Sequence, residues 1–213
     1  MPSDERRQRW QQRYLAVGPD KPQPAHVLAD NSFLLPPSGR ALDLACGRGG
    51  NALFLARLGF DTEAWDYAPA AIESLKRIVE EEGLPLQATV RDVVRDFPSA
   101  ESFDVIVVSY FLERDIVPNL IEALHKDGLI FYETFVKDAV NLTGPANPAF
   151  RLDDNELLQL FAGQRVLAYQ EHGHAGDLAQ GQRNVARLVV QLSLIHISEP
   201  TRPRLVSRMP SSA

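Results

Sequence analysis

Apolar and polar positions follow a regular rhythm between residues 40 and 134. Short runs rich in β-branched and aromatic residues are each followed by a stretch with apolar residues at helical spacing. The run Val105-Ile106-Val107-Val108 is uninterrupted, as expected for a parallel strand buried on both faces, so we place it at the centre of the sheet. This alternation predicts βαβ units, a parallel sheet and a ligand site at the carboxyl ends of the strands.

The same patterns give the expected element bounds. Strands are predicted at residues 40–45, 61–66, 86–91, 103–109, 129–134, 164–171 and 184–191. Helices are predicted at 3–15, 25–34, 50–58, 70–82, 115–125 and 153–161, the last with Asp153 as its N-cap. The segment 135–151 is too long for an ordinary connection and carries Gly-Pro and Asn-Pro turn signals, so it is a candidate lid or substrate loop.

The stretch LDLACGRGGN, from Leu42 to Asn51, is the main chemical signal. It is a strand end, a turn of small residues and the start of a helix. Without Cβ atoms the backbone can approach a ligand, and its N–H groups and the helix N-terminus point at that ligand. Loops of this shape bind nucleotide-like cofactors.

Composition narrows the classes of function. The chain has 213 residues, enough for one α/β domain, and a net charge of −6 with interspersed charges, which argues against nucleic-acid binding. No apolar run reaches the roughly 18 residues of a membrane span. The N-terminus is charged without an apolar core, and the single Cys46 allows no internal disulfide. We therefore expect a cytoplasmic protein, monomer or homodimer, that acts on a small molecule without a bound metal.

Three carboxylates are predicted at the ends of three successive strands. Asp43 leads into the glycine turn, Asp66 closes the second strand, and Asp92 follows the third. A carboxylate at the position of Asp66 can accept both hydrogen bonds of a ribose diol. Asp92 and its neighbouring backbone could address an adenine edge. Together they form one acidic rim.

These segments resemble the class I S-adenosylmethionine-dependent methyltransferases. The resemblance covers roughly residues 10 to 191, through LDLACGRGGNALFLA, AWDYAP, RDV and VIVVSYFLE in that order. The tellurite-resistance methyltransferase-like group is the most similar in detail, through RWQQRY, LACGRGGN, YETF and GPANPAFRL. The resemblance implies an α/β, Rossmann-like three-layer sandwich whose seven-stranded, mostly parallel sheet has an antiparallel last strand.

The resemblance also implies S-adenosyl-L-methionine as cofactor and assigns its contacts. They are Asp43, Ala45, Cys46, Gly47, Gly49, Asn51, Asp66, Tyr67, Asp92, Val93 and Tyr110. Asp43 would order the loop and reach the amino acid moiety, Asp66 would hold the ribose, and Tyr67 would cover the adenine. Tyr110 and Phe111 would lie near the sulfonium and the acceptor. Ala45 replaces the family's usual first glycine, which is tolerated if its φ is negative.

Residues on the acceptor side are expected from topology. If the sixth strand runs parallel to its neighbours, the loop at His172 to His174 shares the edge of the sheet with the cofactor. His172, His174 and Arg183 could then bind an anionic acceptor or take a proton, and Tyr110 would complete the catalytic set. Tyr14, Glu133 and Arg151 could join them. Surface loop residues are the simpler explanation of the two histidines, and Trp10 and Tyr14 are equally explained as packing anchors.

Two other functions fit part of the pattern. Ala45, Gly47 and Gly50 match a relaxed dinucleotide fingerprint, so an NAD(P)-dependent oxidoreductase is one alternative, and a non-catalytic cofactor-binding module is another. We divide the chain into an N-terminal helical lid at 1–36, a methyltransferase domain at 37–191 and a non-native tail at 192–213. The stretch LSLIHISEPTR in that tail resembles translated sequencing-library adapter, the other reading being an ordinary strand end with a basic tail.

Overall fold

The computed structural model describes residues 22–141 and 143–193. One seven-stranded sheet runs through it in the order β3-β2-β1-β4-β5-β7-β6. The strands are β1 Arg40–Leu44, β2 Asp61–Asp66, β3 Leu86–Val90, β4 Phe103–Ser109, β5 Leu124–Phe135, β6 Arg165–Glu171 and β7 Val185–Gln191. Strands β1 to β5 pair in parallel, whereas β7 pairs antiparallel with both β5 and β6. The predicted α/β sandwich with a mostly parallel sheet is confirmed.

Helices cover both faces of the sheet. They are α1 His26–Ala29, α2 Gly50–Arg57, α3 Pro69–Glu82, α4 Val117–Glu122 and α5 Glu156–Leu160, with 3₁₀ turns at Ser32–Leu34, Arg114–Ile116 and Pro148–Phe150. Buried residues of α4 and α5 share a cluster with Ile106 and Val108 of β4, whereas Val105 and Val107 pack with α1 and α2 on the other face. Strand β4 thus lies at the centre of the sheet, as predicted, with apolar side chains on both faces.

The helix predicted at 115–125 is wrong in its second half. It ends at Glu122 because the carbonyls of Glu122 and Ala123 accept N–H groups from residues 101–103, and Leu124 then pairs with Phe103 at the start of β5. Strand β5 is therefore longer than the predicted 129–134.

The helix predicted at 25–34 is also wrong beyond Ala29. The Asn31 side chain donates to the Val27 carbonyl and the Ser32 hydroxyl donates to the Ala29 carbonyl, so local side-chain bonds replace the helical ladder.

The first turn of α5 differs from the prediction as well. Asn155, with φ of 57°, immediately precedes the helix, and the expected N-cap Asp153 instead pairs with Lys137 at 2.7 Å. The Glu156 carboxylate, at the first residue of the helix, accepts the Asp153 N–H at 2.7 Å.

Some predictions lie outside the described residues: the helix at 3–15, Trp10, Tyr14, and the tail from residue 194. Leu192 and Ser193 are still bonded to the sheet, through the Gly128 carbonyl and the Gln164 side chain. Within the described part of the chain, no helix is long and apolar enough to cross a membrane.

Candidate functional site

The loop after β1 lies at the point where the strand order reverses, between β1 and β4. Ligands of open α/β sheets bind in the crevice at such a point, outside the carboxyl ends of the strands. The LDLACGRGGN stretch therefore occupies the place in the fold that its sequence predicts.

The buried Asp43 side chain holds this loop in place through hydrogen bonds. Its carboxylate has no exposed surface, and it accepts the Ala52 N–H at 3.0 Å and the Asn51 side-chain amide at 3.2 Å. Burial raises the pKa of Asp43 to about 7, against the two hydrogen bonds, which favour the charged form. Both observed bonds order the loop; contact with a cofactor's amino acid moiety stays a prediction.

Asn51 connects three parts of the site. Its amide nitrogen donates to Asp43 and to the Ser109 hydroxyl at 2.9 Å, and its oxygen accepts the Ala25 N–H at 2.8 Å. The start of α2, the end of β4 and the segment before α1 are thereby tied together. Sequence reasoning selected Asn51 for its place in the loop, but nothing in the local pattern pointed to Ala25.

The condition set for Ala45, a negative φ, is not met. Ala45 adopts φ of 57°, the left-handed region that Gly normally supplies, at a cost of about 1–2 kcal/mol for an L-residue. Gly47 at 53° and Gly49 at 79° adopt it without that cost. The chain therefore keeps the backbone geometry of the glycine turn with an alanine in its first place.

Close packing constrains the two glycines that open α2. A Cβ on Gly49 would come within 2.6 Å of the Leu75 side chain, and a Cβ on Gly50 within 2.0 Å of the Gln23 carbonyl oxygen. The segment before α1 thus lies directly on the loop. These glycines are needed for packing as much as for ligand approach.

Asp66 ends β2 facing the loop. Its side chain accepts the Gly47 N–H at 2.8 Å and the Ala68 N–H at 2.9 Å, and burial raises its pKa above the ordinary value. The Tyr67 N–H is a third backbone donor to Asp66, and since a carboxylate offers about four lone-pair sites, some acceptor capacity remains. The sequence-predicted Asp66 and Gly47 are therefore in direct contact, and Tyr67 follows them, partly buried.

The loop after β3 carries the other predicted adenine-side residues. Asp92 is partly exposed, accepts the Val94 N–H at 3.3 Å and lies 3.7 Å from Arg95, while Val93 is buried. These contacts of Asp92 are compatible with a role at the polar edge of an adenine and equally with a solvated charge pair.

Cys46, in the glycine turn, is buried. Burial raises the pKa of its thiol well above the usual value, so it is held as the neutral thiol.

Tyr110 and Glu133 form a pair on the other side of the crevice. The Tyr110 hydroxyl donates to Glu133 Oε1 at 2.7 Å, and the Tyr110 N–H donates to the Glu133 carbonyl at 2.7 Å. Tyr110 has φ of 56°, and its ring lies 5.3 Å from the ring of Phe135. Glu133 also accepts the Val27 N–H at 2.8 Å and pairs with Arg187 at 3.1 Å.

The β6–β7 loop holds the predicted acceptor-side residues. Strand β6 is antiparallel to its neighbour β7, contrary to the condition we set, but it runs in the same direction as β1 to β5 because β7 is antiparallel to β5 as well. The loop therefore emerges at the edge that carries the glycine turn. A cavity of about 350 Å³ opens beside it, lined by Glu171, His172, Ala175, Gln180, Gly181 and Arg183.

The individual side chains of this loop have different surroundings. His174 Nδ1 lies 2.8 Å from Asp138 of the 135–151 segment, so the structure brings the two predicted acceptor-side segments together. His172 Nδ1 is buried without a hydrogen-bond partner among the described residues. The Arg183 guanidinium donates to the carbonyls of residues 173, 175, 177 and 180, and so folds the loop around itself.

Arg151 does the same for the 135–151 segment. Its guanidinium donates to the carbonyls of Pro145 at 2.8 Å, Val136 at 2.9 Å and Thr143 at 2.6 Å. Arg114, which sequence reasoning missed, joins this segment to α5 through Glu156 and the carbonyls of residues 149 and 151. Both arginines therefore fix loop shape through backbone contacts, for which the sequence carries no periodic signal.

The sequence of this chain is similar to those of several known proteins. Residues 24–195 match the sequence family described as tellurite resistance protein TehB. The chain is 33% identical over 163 residues to hemagglutinin 1 of Eikenella corrodens, an alignment that covers 72% of this chain and 54% of that protein. It is 28% identical over 160 residues to the probable S-adenosyl-L-methionine-dependent methyltransferase TehB of Haemophilus influenzae strain 10810, covering 72% and 55%. The chain thus spans about half the length of these curated relatives.

Solved structures share the fold. TehB from Haemophilus influenzae superposes with a TM-score of 0.63 at 24% identity, over 78% of this chain and 61% of that chain. A SAM-dependent methyltransferase from Aquifex aeolicus superposes with a TM-score of 0.60 at 15% identity, over 78% and 88%. With the family match extending across the glycine turn, the crevice and the β6–β7 loop, this chain belongs to the family of the tellurite resistance protein TehB.

Proposed function

We propose that this protein is an S-adenosylmethionine-dependent methyltransferase that acts on a small-molecule acceptor. The observation that carries the proposal is the glycine turn at the β1–β4 crevice, braced by Asp43 and Asn51 and bonded to Asp66 through Gly47, in a member of the TehB family. Its relatives in that family include a probable S-adenosyl-L-methionine-dependent methyltransferase.

The residues at the crevice fit this cofactor. Asp66 keeps acceptor capacity for a ribose hydroxyl beside its three backbone bonds, and Asp92, at the next strand end, is exposed enough to reach a ligand. Gly47 and Gly49 let the loop backbone approach it. When bound, S-adenosylmethionine supplies a methyl group on a sulfonium, which the acceptor's lone pair displaces, with S-adenosylhomocysteine as the leaving group. The protein then contributes mainly by holding the two reactants in attack geometry.

For the acceptor we propose the side of the crevice formed by Tyr110, the β6–β7 loop and the 135–151 segment. A carboxylate only accepts hydrogen bonds, so Asp138 binds the Nδ1–H of His174 and fixes the orientation of the ring at this loop. Arg183 adds positive charge at the same loop. This suits a tellurite- or selenite-type oxyanion, and a thiol or hydroxyl metabolite is the next class to test.

Binding and turnover of the full chain test the function. Calorimetric titration is expected to show binding of S-adenosylmethionine, and tight binding of NADH without it would favour the oxidoreductase instead. Release of S-adenosylhomocysteine should be measured over a panel containing tellurite, selenite and a simple thiol. Donor binding with no release on any acceptor would favour a non-catalytic binding module.

The acceptor side is tested by substitution. His174→Gln and Arg183→Gln should each lower kcat/KM for the acceptor while the calorimetric affinity for S-adenosylmethionine stays within about twofold. Unchanged acceptor turnover in both variants would exclude this loop from the acceptor site. Arg183→Gln also loosens the loop, so its melting temperature is measured alongside.

A further inference from the structure

The Glu133 carboxylate makes more contacts than a structural ion pair with one arginine would need. It is fully buried near the end of β5, and Arg187 of β7 faces it directly in the strand register and lies 3.1 Å away. That contact alone would supply its counter-charge. Glu133 nevertheless also takes the Val27 N–H and the hydroxyl of Tyr110, a residue that keeps 46% of its surface exposed.

Tyr110 is held at both of its ends by this one residue. Its N–H donates to the Glu133 carbonyl and its hydroxyl donates to Glu133 Oε1, each at 2.7 Å. The left-handed backbone of Tyr110 and the ring of Phe135 further restrict where its phenol can lie. The hydroxyl therefore has a fixed position and a fixed direction for its hydrogen.

The direction of that hydrogen decides what else the oxygen can do. A tyrosine hydroxyl has one hydrogen to donate and lone pairs that accept. Burial, and after it the charge of Glu133, raise the pKa of the Tyr110 phenol above its ordinary value, so the group stays neutral in the physiological range. With its hydrogen bound to Glu133, the Tyr110 oxygen can only accept.

We propose that Glu133 is a positioning residue for methyl transfer, which directs the hydroxyl hydrogen of Tyr110 away from the crevice so that its oxygen receives a hydrogen carried by the acceptor. This inference rests on the proposed function. It specifies the acceptor class: a molecule with a hydrogen on or beside its nucleophilic atom, such as a hydrogen oxyanion, a thiol or an alcohol. An acceptor without such a hydrogen would place its own lone pairs against those of the Tyr110 oxygen, and it would bind less tightly.

The variants are chosen so that the chain can still fold. Replacing a buried ion pair by apolar residues of similar size is often neutral for stability, whereas removal of one partner is not. The test variant is therefore Glu133→Met with Arg187→Met, which removes the acceptor of the Tyr110 hydroxyl together with the counter-charge. Glu133→Gln with Arg187→Met restores one carbonyl oxygen for that hydroxyl. Tyr110→Phe removes the hydroxyl itself.

Release of S-adenosylhomocysteine is measured with the best acceptor of the panel. The Met pair and Tyr110→Phe should each lower kcat/KM for the acceptor by about tenfold, the worth of one hydrogen bond between uncharged groups at the upper end of its range. In the Tyr110→Phe background the Met pair should add less than about twofold, because Glu133 acts through the hydroxyl. The Gln variant should recover most of the loss. If the combined variant lost kcat/KM by the product of the Met-pair loss and the Tyr110→Phe loss, Glu133 would act independently of the hydroxyl and the proposal would be overturned.

A matched control separates this role from general packing. The Tyr169 hydroxyl donates to Glu171 on β6, the same kind of contact; Glu171 lines the cavity beside the β6–β7 loop, whereas Tyr169 itself does not. Tyr169→Phe should leave kcat/KM for the acceptor within about twofold of the starting value. A loss equal to that of Tyr110→Phe would show that any tyrosine–carboxylate contact matters, and would contradict the assigned role.

An activity-independent measurement keeps the two proposals distinguishable. The infrared C–O stretch of a phenol depends on whether its hydroxyl donates, and subtracting the spectrum of Tyr110→Phe isolates the Tyr110 band in the cofactor-free protein. The band should move in the Met pair and return in the Gln variant; an unmoved band would refute the positioning role of Glu133. Failure to bind S-adenosylmethionine in calorimetry would instead refute the proposed function, whatever the band does.

Discussion

The buried Asp43 carboxylate should make the stability of the cofactor-free protein fall as the pH rises through the acidic and neutral range. Its pKa rises from 3.8 to about 7 on burial. Between these two values the folded state keeps a proton that the unfolded state has released. A group whose folded pKa is raised stabilises the fold fully below its unfolded pKa, and that contribution is lost as the pH rises to the folded pKa.

The size of the effect follows from the shift. About three pKa units at roughly 1.4 kcal/mol each give about 4 kcal/mol between pH 4 and pH 7. From pH 5 to pH 8 the protein crosses about two of these units, so the free energy of unfolding should fall by about 3 kcal/mol because of Asp43 alone. Above about pH 7 this contribution is constant.

Urea unfolding of the starting protein and of Asp43→Asn, at several pH values from 5 to 8, measures this directly. The amide cannot ionise, so the difference in slope reports the titration of Asp43 together with its coupling to Asp66, whose charge also raises the pKa of Asp43. The absolute stabilities also differ because the amide satisfies only one of the two donors at Asp43, so only the slope is interpreted. Asp61→Asn, at the exposed start of β2, is the control and should keep the original slope.

Parallel profiles for Asp43→Asn and the starting protein would refute the reasoning. They would mean that Asp43 is charged throughout the range, its two hydrogen bonds compensating for burial. The opposite sign, with stability rising with pH only when Asp43 is present, would mean that those bonds outweigh burial and hold the pKa below its ordinary value.

Three further outcomes can be checked. Gly50→Ala would place a Cβ 2.0 Å from the Gln23 carbonyl oxygen, so it should lower both the melting temperature and the calorimetric affinity for S-adenosylmethionine. Ala45→Gly should raise the free energy of unfolding by up to about 1 kcal/mol in urea, because relief of the left-handed strain exceeds the added flexibility of the unfolded chain; a loss of stability would show that the Ala45 methyl packs usefully. Arg114→Met should cost about 1–3 kcal/mol in the same assay, since it breaks the two-point pair with Glu156 and two backbone contacts, whereas a change below about 0.5 kcal/mol would mean that these contacts are dispensable.

The parts of the site that sequence reasoning predicted are those set by local order along the chain. Asp43 and Asp66 were found because each closes a strand with a clear pattern, and parallel strands end at one edge of a sheet. The glycine turn was found because its small residues interrupt that pattern. At these positions the end of the strand pattern and the residue type, a carboxylate or a glycine, both indicate a ligand site.

The remainder depends on contacts between distant parts of the chain. The bond from Val27 to Glu133 joins residues 106 positions apart, and the one from Arg187 to Asp30 joins residues 157 apart. No local pattern encodes them. The positive φ of Ala45 has no signal in the sequence for a related reason, since the residue type favours a right-handed or extended backbone and the fold overrides that preference. The helix predicted at 115–125 ended where such contacts took its last carbonyls, whereas the helix predicted at 25–34 ended through local side-chain bonds.

The width of the crevice is set by backbone bonds to the outer strands. Ala45 and Tyr110 are the first residues beyond β1 and β4, and both adopt the left-handed conformation, at 57° and 56°. The chain beyond β1 then bonds outward, with Cys46 N–H donating to Trp65 on β2, and the chain beyond β4 bonds the other way, with Tyr110 N–H donating to Glu133 on β5. Two strands that were paired up to this point therefore diverge, and Asn51 spans the gap to Ser109. These bonds involve only protein groups, and the strain of the two left-handed turns is part of the cost of holding the strands apart.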